Sequence, residues 1–185
     1  MRILIAGLLG AIAMFVWTAI AHMATPLAFT GFSKMQNEHA VLATLPSGIG
    51  KKPGLYFYPW VDPKDPHMEQ TATALMKVNP NGFIVYHPAG TNYDMTPLMI
   101  QEFAKELAQS LIAAFLLSLT MIAGYLGRVG FVTLIGAFGA LGTDASYLIW
   151  YGFPCSYTLA QMTIEIVGAL AAGLVIAWWI GRRPA

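Results

Sequence analysis

Three side chains that can carry charge fall inside long apolar runs: His22, Asp144 and Glu165. An ionisable group in hydrocarbon is costly to keep, so its default reading is functional, with a partner to be named. His22 lies about one helical turn from the end of its run, and Asp144 and Glu165 about two turns into theirs. All three therefore sit at similar depth, in the outer half of a bilayer, where they could converge. A histidine with two carboxylates at that depth suits a proton relay, a cation site or part of a metal-ligand set. The plainer alternative is structural. His22 and Glu165 would hold helices together by interhelical hydrogen bonds. Asp144, in "GTDASY", would mark a helix break and bond backbone, Thr143 or Ser146.

Other residues invite chemistry on thinner grounds. Met35 and His39 stand four apart on an expected helix face, His67 and Met68 are adjacent, and His87 ends an expected strand. Thioether and imidazole ligands suit copper. With 10 methionines in the chain, however, such neighbours also arise by chance. His22 could also ligate a haem or chlorophyll-type tetrapyrrole axially, although one histidine specifies no such group. The sequence requires no cofactor, and it contains no phosphate loop, dinucleotide fingerprint, HExxH, nucleophile elbow or CxxC. The single cysteine, Cys155, cannot form an internal disulfide.

The elements that must position these residues follow from composition. The chain of 185 residues is 57% hydrophobic and 10% charged, against about 25% charged in soluble domains. That much apolar surface cannot be absorbed by a core, so the lipid bilayer is the expected surrounding. A net charge of +1 offers nothing to nucleic acid. The fold class expected is mainly α and integral to the membrane. Four transmembrane helices are read at 3–25, 107–126, 129–150 and 159–180, each about 20 residues or more. The second is the apolar part of a long helix over 97–127. A small α+β module occupies 26–96, and 181–185 form a tail.

Arg2, Arg128, Arg182 and Arg183 fall on one side of such a chain, which the positive-inside rule makes cytoplasmic. Both termini are then inside and residues 26–96 extracytoplasmic. A signal peptide ending near "TAIA" competes for the first span. Its apolar run of roughly 17 residues is longer than most secretory h-regions, which favours retention.

Within the module, "SKMQNEHAVLATLPSG" predicts a short helix capped by Ser33 with Gln36 and stopped by Pro46. "GLYFYPW" and "GFIVYHP" predict two strands, and the helix between them takes Asp65 as cap and Pro66 as its first residue. The strands form either a parallel crossover or an antiparallel pair, and two strands need outside support. Thr96 and Pro97 open the long helix. Tyr56, Tyr58, Trp60, Tyr86 and Tyr93 form an expected interaction surface, because such rings suit membrane interfaces and protein contacts alike. Glycines at 130, 136, 139 and 142, with Gly168, Gly173, Gly7 and Gly10, allow close helix contact.

The stretches "MFVWTAIAHM", "NEHAVLATL", "PGLYFYP", "VYHP", "GYLGRVGFV" and "WYGFP" resemble those of a family of short bacterial inner-membrane proteins built from one helix, an outer module and three more helices. The resemblance implies that location and fold, and no activity. The function expected is that of a non-catalytic accessory or assembly subunit, docking to a membrane protein partner or forming a homo-oligomer. The alternatives are a small oligomeric transporter or channel using His22, Asp144 and Glu165, and a metal-handling protein or enzyme at the outer face.

Overall fold

The computed structural model describes residues 1–181, so Arg182 and Arg183 and most of the expected tail lie outside the described residues. The elements run α1 (Arg2–Ala24), a 3-10 turn (Pro26–Phe29), α2 (Glu38–Ile49), β1 (Gly54–Tyr58), α3 (Met68–Val78), β2 (Gly82–Tyr86), α4 (Met95–Ser118), α5 (Tyr125–Tyr151) and α6 (Cys155–Gly181). They fall into two compact units: Met1–Phe32 with Asp94–Ala185, and Ser33–Tyr93. The 3-10 turn, expected with the module, packs on α1 and α6.

In the helical unit, α1 packs against α4 and α6, α6 also packs against α5, and α4 and α5 scarcely meet. Small residues make the central contacts. A methyl group on Gly10 of α1 would overlap Ser110 of α4 and Ile176 of α6, and one on Gly136 of α5 would overlap Ala169 of α6. Between apolar helices in lipid, attraction comes from such close packing rather than from water exclusion. The glycine row of α5 is only partly used, since Gly130, Gly139 and Gly142 have nothing within 4 Å of an added methyl. Arg2 donates to the carbonyl of Ile180 at 2.8 Å, and the Arg128 guanidinium lies against Gly181 at the end of α6. The start of α1, the start of α5 and the end of α6 therefore share one end of the bundle.

Three helices are long and apolar enough to cross a membrane, α1, α5 and α6, and not the four expected. The correction concerns 107–126. Helix α4 ends at Ser118 and the chain turns before α5 begins at Tyr125. Its length of 24 residues would suffice, but Glu102, Lys105 and Glu106 lie within it, so no window of the required length is apolar. Contacts of Gly7 with Leu111 and of Thr18 with Glu106 show α4 running antiparallel beside α1. Asp94, rather than Thr96, caps it, accepting from the Thr96 amide at 2.9 Å. Helix α5 is continuous through Asp144, so the expected break there is absent.

The second unit contains one antiparallel pair with Gly54 opposite Tyr86 and Tyr58 opposite Gly82, which settles the direction left open by the sequence. Asn37, not Ser33, caps α2, accepting from the Ala40 amide at 3.2 Å. Pro46 sits inside that helix, which stops instead at Gly50, whose φ of 91° is a left-handed conformation that suits glycine. Helix α3 starts at Met68, with Asp65 accepting from the His67 amide at 2.8 Å and from Thr71 Oγ1 at 3.0 Å. Neither α2 nor α3 packs closely on the sheet, and Val41, Leu42, Leu55 and Val85 stay exposed.

If close helix approach holds the bundle, Gly136→Val should destabilise it by about 1–3 kcal/mol through overpacking, and Gly130→Ala should change stability by about 0.5 kcal/mol at most. Thermal unfolding of both variants in one mild detergent tests this. Equal melting temperatures would show that the α5–α6 contact is not tight.

Candidate functional site: a buried carboxyl group beside two joined cavities

Helix α4 buries one face, Glu106, Ser110, Ala113, Ala114 and Leu117, at alternating spacings of four, three, one and three residues. Four of these are small or apolar. The fifth is a carboxylic acid, with Glu106 at 0% exposure. Its Oε1 accepts from Thr18 Oγ1 of α1 at 2.6 Å. Its Oε2 is buried with no hydrogen-bond partner, and so is Ser110 Oγ one turn further on. A buried polar atom without a partner costs on the order of 1–3 kcal/mol, and more when charged. The same cost falls on Asp144 Oδ2, Thr158 Oγ1 and Trp179 Nε1 elsewhere in the bundle, but Glu106 is the buried acid that also lines a cavity.

Glu106 lines a cavity of about 220 Å³ together with Thr18 and His22 from α1, Glu102, Lys105 and Gln109 from α4, and Gln161 and Glu165 from α6. These residues lie toward the end of the bundle opposite Arg2 and Arg128. Glu102 and Lys105 satisfy one another at 2.7 Å. The Nδ1–H of His22 donates to the Thr18 carbonyl at 2.9 Å, which leaves Nε2 as the acceptor of the neutral ring. Trp17 is anchored by Nε1–H donating to the Ile164 carbonyl at 2.9 Å, which ties α1 to α6 beside the cavity.

A second cavity, of about 260 Å³, adjoins the first, and both are lined by Met14, Gln109 and Glu165. Its remaining lining is mostly apolar: Ile112 and Ala113 from α4, Ile135, Gly136, Phe138 and Gly139 from α5, and Ala169 and Ala172 from α6. It occupies the gap left because α4 and α5 do not close on each other. Phe138 and Ile112 are mainly exposed at its mouth, on the sides of helices that face outward. A polar chamber and an apolar crevice thus lie side by side, with Met14, Gln109 and Glu165 as their common wall.

The structure brings two of the three expected intramembrane residues together. His22 and Glu165 share the chamber. Asp144 lines neither cavity; it is 8% exposed on α5 with Oδ2 unpartnered among the described residues. The residue that sequence reasoning missed is Glu106. It falls in the part of the long helix just before the expected span 107–126, whereas its spacing to Ser110 and Ala113 puts it on the buried stripe, a signal present in the sequence. Thr18, Gln109 and Gln161 were missed because neutral polar residues in a helix look like solvated positions until neighbours are known.

The expected copper residues are not gathered. Met35 precedes α2, His39 lies in α2, His67 and Met68 are at the start of α3, and His87 follows β2. Among the described residues, no group of three or more His, Cys, Asp or Glu side chains is placed to hold a metal ion. Of the expected aromatic surface, Trp60 at 69% and Tyr93 at 77% are exposed, and Tyr58 is partly so. Tyr86 is a correction: at 7% exposure it is interior to its unit, donating to the Gly50 carbonyl at 3.1 Å and meeting Tyr56 edge-on. It cannot act as contact surface because packing consumes its ring. No family model, curated protein or solved structure matches the chain, so no function passes to it from a relative.

A carboxyl group kept for binding should be a burden on the empty fold. Thr18→Val removes the only donor to Glu106 among the described residues and should lower stability by about 1–3 kcal/mol. Glu106→Met, which fills the site without a polar group, should leave stability unchanged or raise it by about 1–4 kcal/mol. Denaturation of both variants in detergent distinguishes the cases; a large loss in Glu106→Met would make Glu106 a structural tie.

Proposed function

We propose that the helical unit is a membrane-embedded binding site for an amphiphilic molecule, with a polar head in the chamber and an apolar chain in the crevice. The observation that carries this reading is the unpartnered Oε2 of Glu106 at the wall of a polar chamber that lies beside an apolar crevice. The two cavities together fall in the size range of small-molecule sites, roughly 300–1,000 Å³. The crevice faces outward between α4 and α5, so a chain can enter sideways from lipid. A transporter using His22, Asp144 and Glu165 has less support. Below the chamber the bundle closes on Ala6, Ala114, Leu117 and Ile176, with no polar lining to carry a solute onward.

The placement that accompanies this reading is the inner membrane of a bacterium. Arg2 and Arg128 share one end of the bundle, and the positive-inside rule makes that end cytoplasmic. Because α4 runs back beside α1 to that end, both termini are then inside, residues 26–96 are extracytoplasmic, and the chamber belongs to the outer leaflet. A second reading, an accessory subunit that docks through its outer unit, draws on the uncovered Leu55, Val85 and Trp60. In that case Trp60→Ser should release a membrane protein that otherwise co-purifies at a fixed ratio in mild detergent. Co-purification that is indifferent to Trp60 would remove this second reading.

The binding site is tested by native mass spectrometry of the protein released from mild detergent. Wild type should carry a retained lipid or lipid-like adduct. Gly139→Trp fills the crevice from a position with free space around it, and it should lose the adduct without unfolding. An adduct level the same in both proteins would sink the proposal.

A further inference from the structure

We infer that the head group taken by the chamber is a protonated amine, so that the ligand class is a single-chain alkylammonium amphiphile. This rests on the binding site proposed above and adds the charge of its ligand. The charges around the chamber do not balance. Three carboxyl groups, Glu102, Glu106 and Glu165, line the chamber against one lysine, Lys105, and His22, and Lys105 is paired with Glu102 at 2.7 Å. A phosphate, sulfate or carboxylate head would add to that excess of acid, and juxtaposed like charges are strongly unfavourable away from water.

An ammonium has the complementary chemistry. It brings three N–H donors and no acceptor, and the chamber offers carboxylate oxygens with one of them, Glu106 Oε2, buried and unpartnered. Because Thr18 already donates to Oε1, a single incoming donor completes the group. A hydrogen bond to a charged partner is shorter and about twice as strong as a neutral one, so an amine should exceed an alcohol of the same chain. Glu165 borders both cavities and would hold the other side of the nitrogen where the chain departs. From Glu165 to Ala172 the crevice follows α6 for roughly 10 Å, which sets the direction of the chain.

The experiment uses the full-length protein in a nonionic maltoside detergent, with dodecylamine, dodecanol and sodium dodecanoate as probes, and saturable binding measured by titration calorimetry. The expected order is amine well above alcohol, and alcohol above carboxylate. Glu106→Gln preserves the shape and the contact with Thr18, and it should weaken amine binding about tenfold or more while leaving dodecanol nearly unchanged. Glu165→Gln should act in the same direction, which guards against a folding defect in either variant alone. Glu69→Gln, in the other unit, should leave all three probes unchanged. Dodecanol or dodecanoate binding as tightly as the amine would overturn the ammonium assignment and leave the amphiphile site standing. Amine binding that is indifferent to both glutamine variants would overturn it equally. If no probe bound saturably and Gly139→Trp also kept its adduct, the site itself would fall with it.

Discussion

Close approach of α1 and α6 is the constraint from which the rest of the helical unit follows. Gly10 allows α1 to rest on both Ser110 and Ile176, and Gly136 and Gly173 allow α5 to rest on α6. Helices in lipid gain little from hiding apolar side chains, so surfaces that come closest win. The pair α1 and α6 therefore becomes the spine, with α4 on one flank and α5 on the other. Having spent their small faces on the spine, α4 and α5 meet each other poorly. The crevice is the geometrical remainder of that choice.

The second consequence concerns polarity. The buried stripe of α4 is continuous from Leu117 to Glu106, so packing that stripe against α1 carries a carboxyl group into the interior. One hydroxyl, from Thr18, meets it. An apolar side chain at position 106 would serve the packing better. The presence of an acid, next to open space lined by Gln109, Gln161 and Glu165, is what makes a binding role more economical than a structural one. By contrast, Asp144 is also buried with an unpartnered oxygen, yet it faces neither cavity and has no comparable space to serve.

The Ser33–Tyr93 unit follows different rules. Its interior is small: Tyr86, held by Gly50 and Tyr56, is its one fully buried aromatic ring among the described residues. The paired strands were legible from their glycine starts and aromatic runs, while their direction was not, since a connection of that length permits either. The caps expected at Ser33 and Thr96 were misplaced by a few residues, because another polar residue, Asn37 or Asp94, was near enough to bond the free amides of the first turn, and local spacing does not rank such rivals. Asp65 does bond the amide of His67, as expected, while the helix proper starts at Met68 rather than at Pro66.

Residue types and their spacing were enough to find three helices long and apolar enough to cross a membrane, a more polar insert between the first and the others, and His22 and Glu165 within those helices. Those features depend on hydropathy and on distance along one helix, which are properties of the chain itself. Which carboxyl group was sealed from water, and where a cavity remained, were decided only by tertiary packing. They depend on how closely neighbouring helices approach and on which face each turns inward. Distance between helices has no counterpart in the order of residues along any one of them.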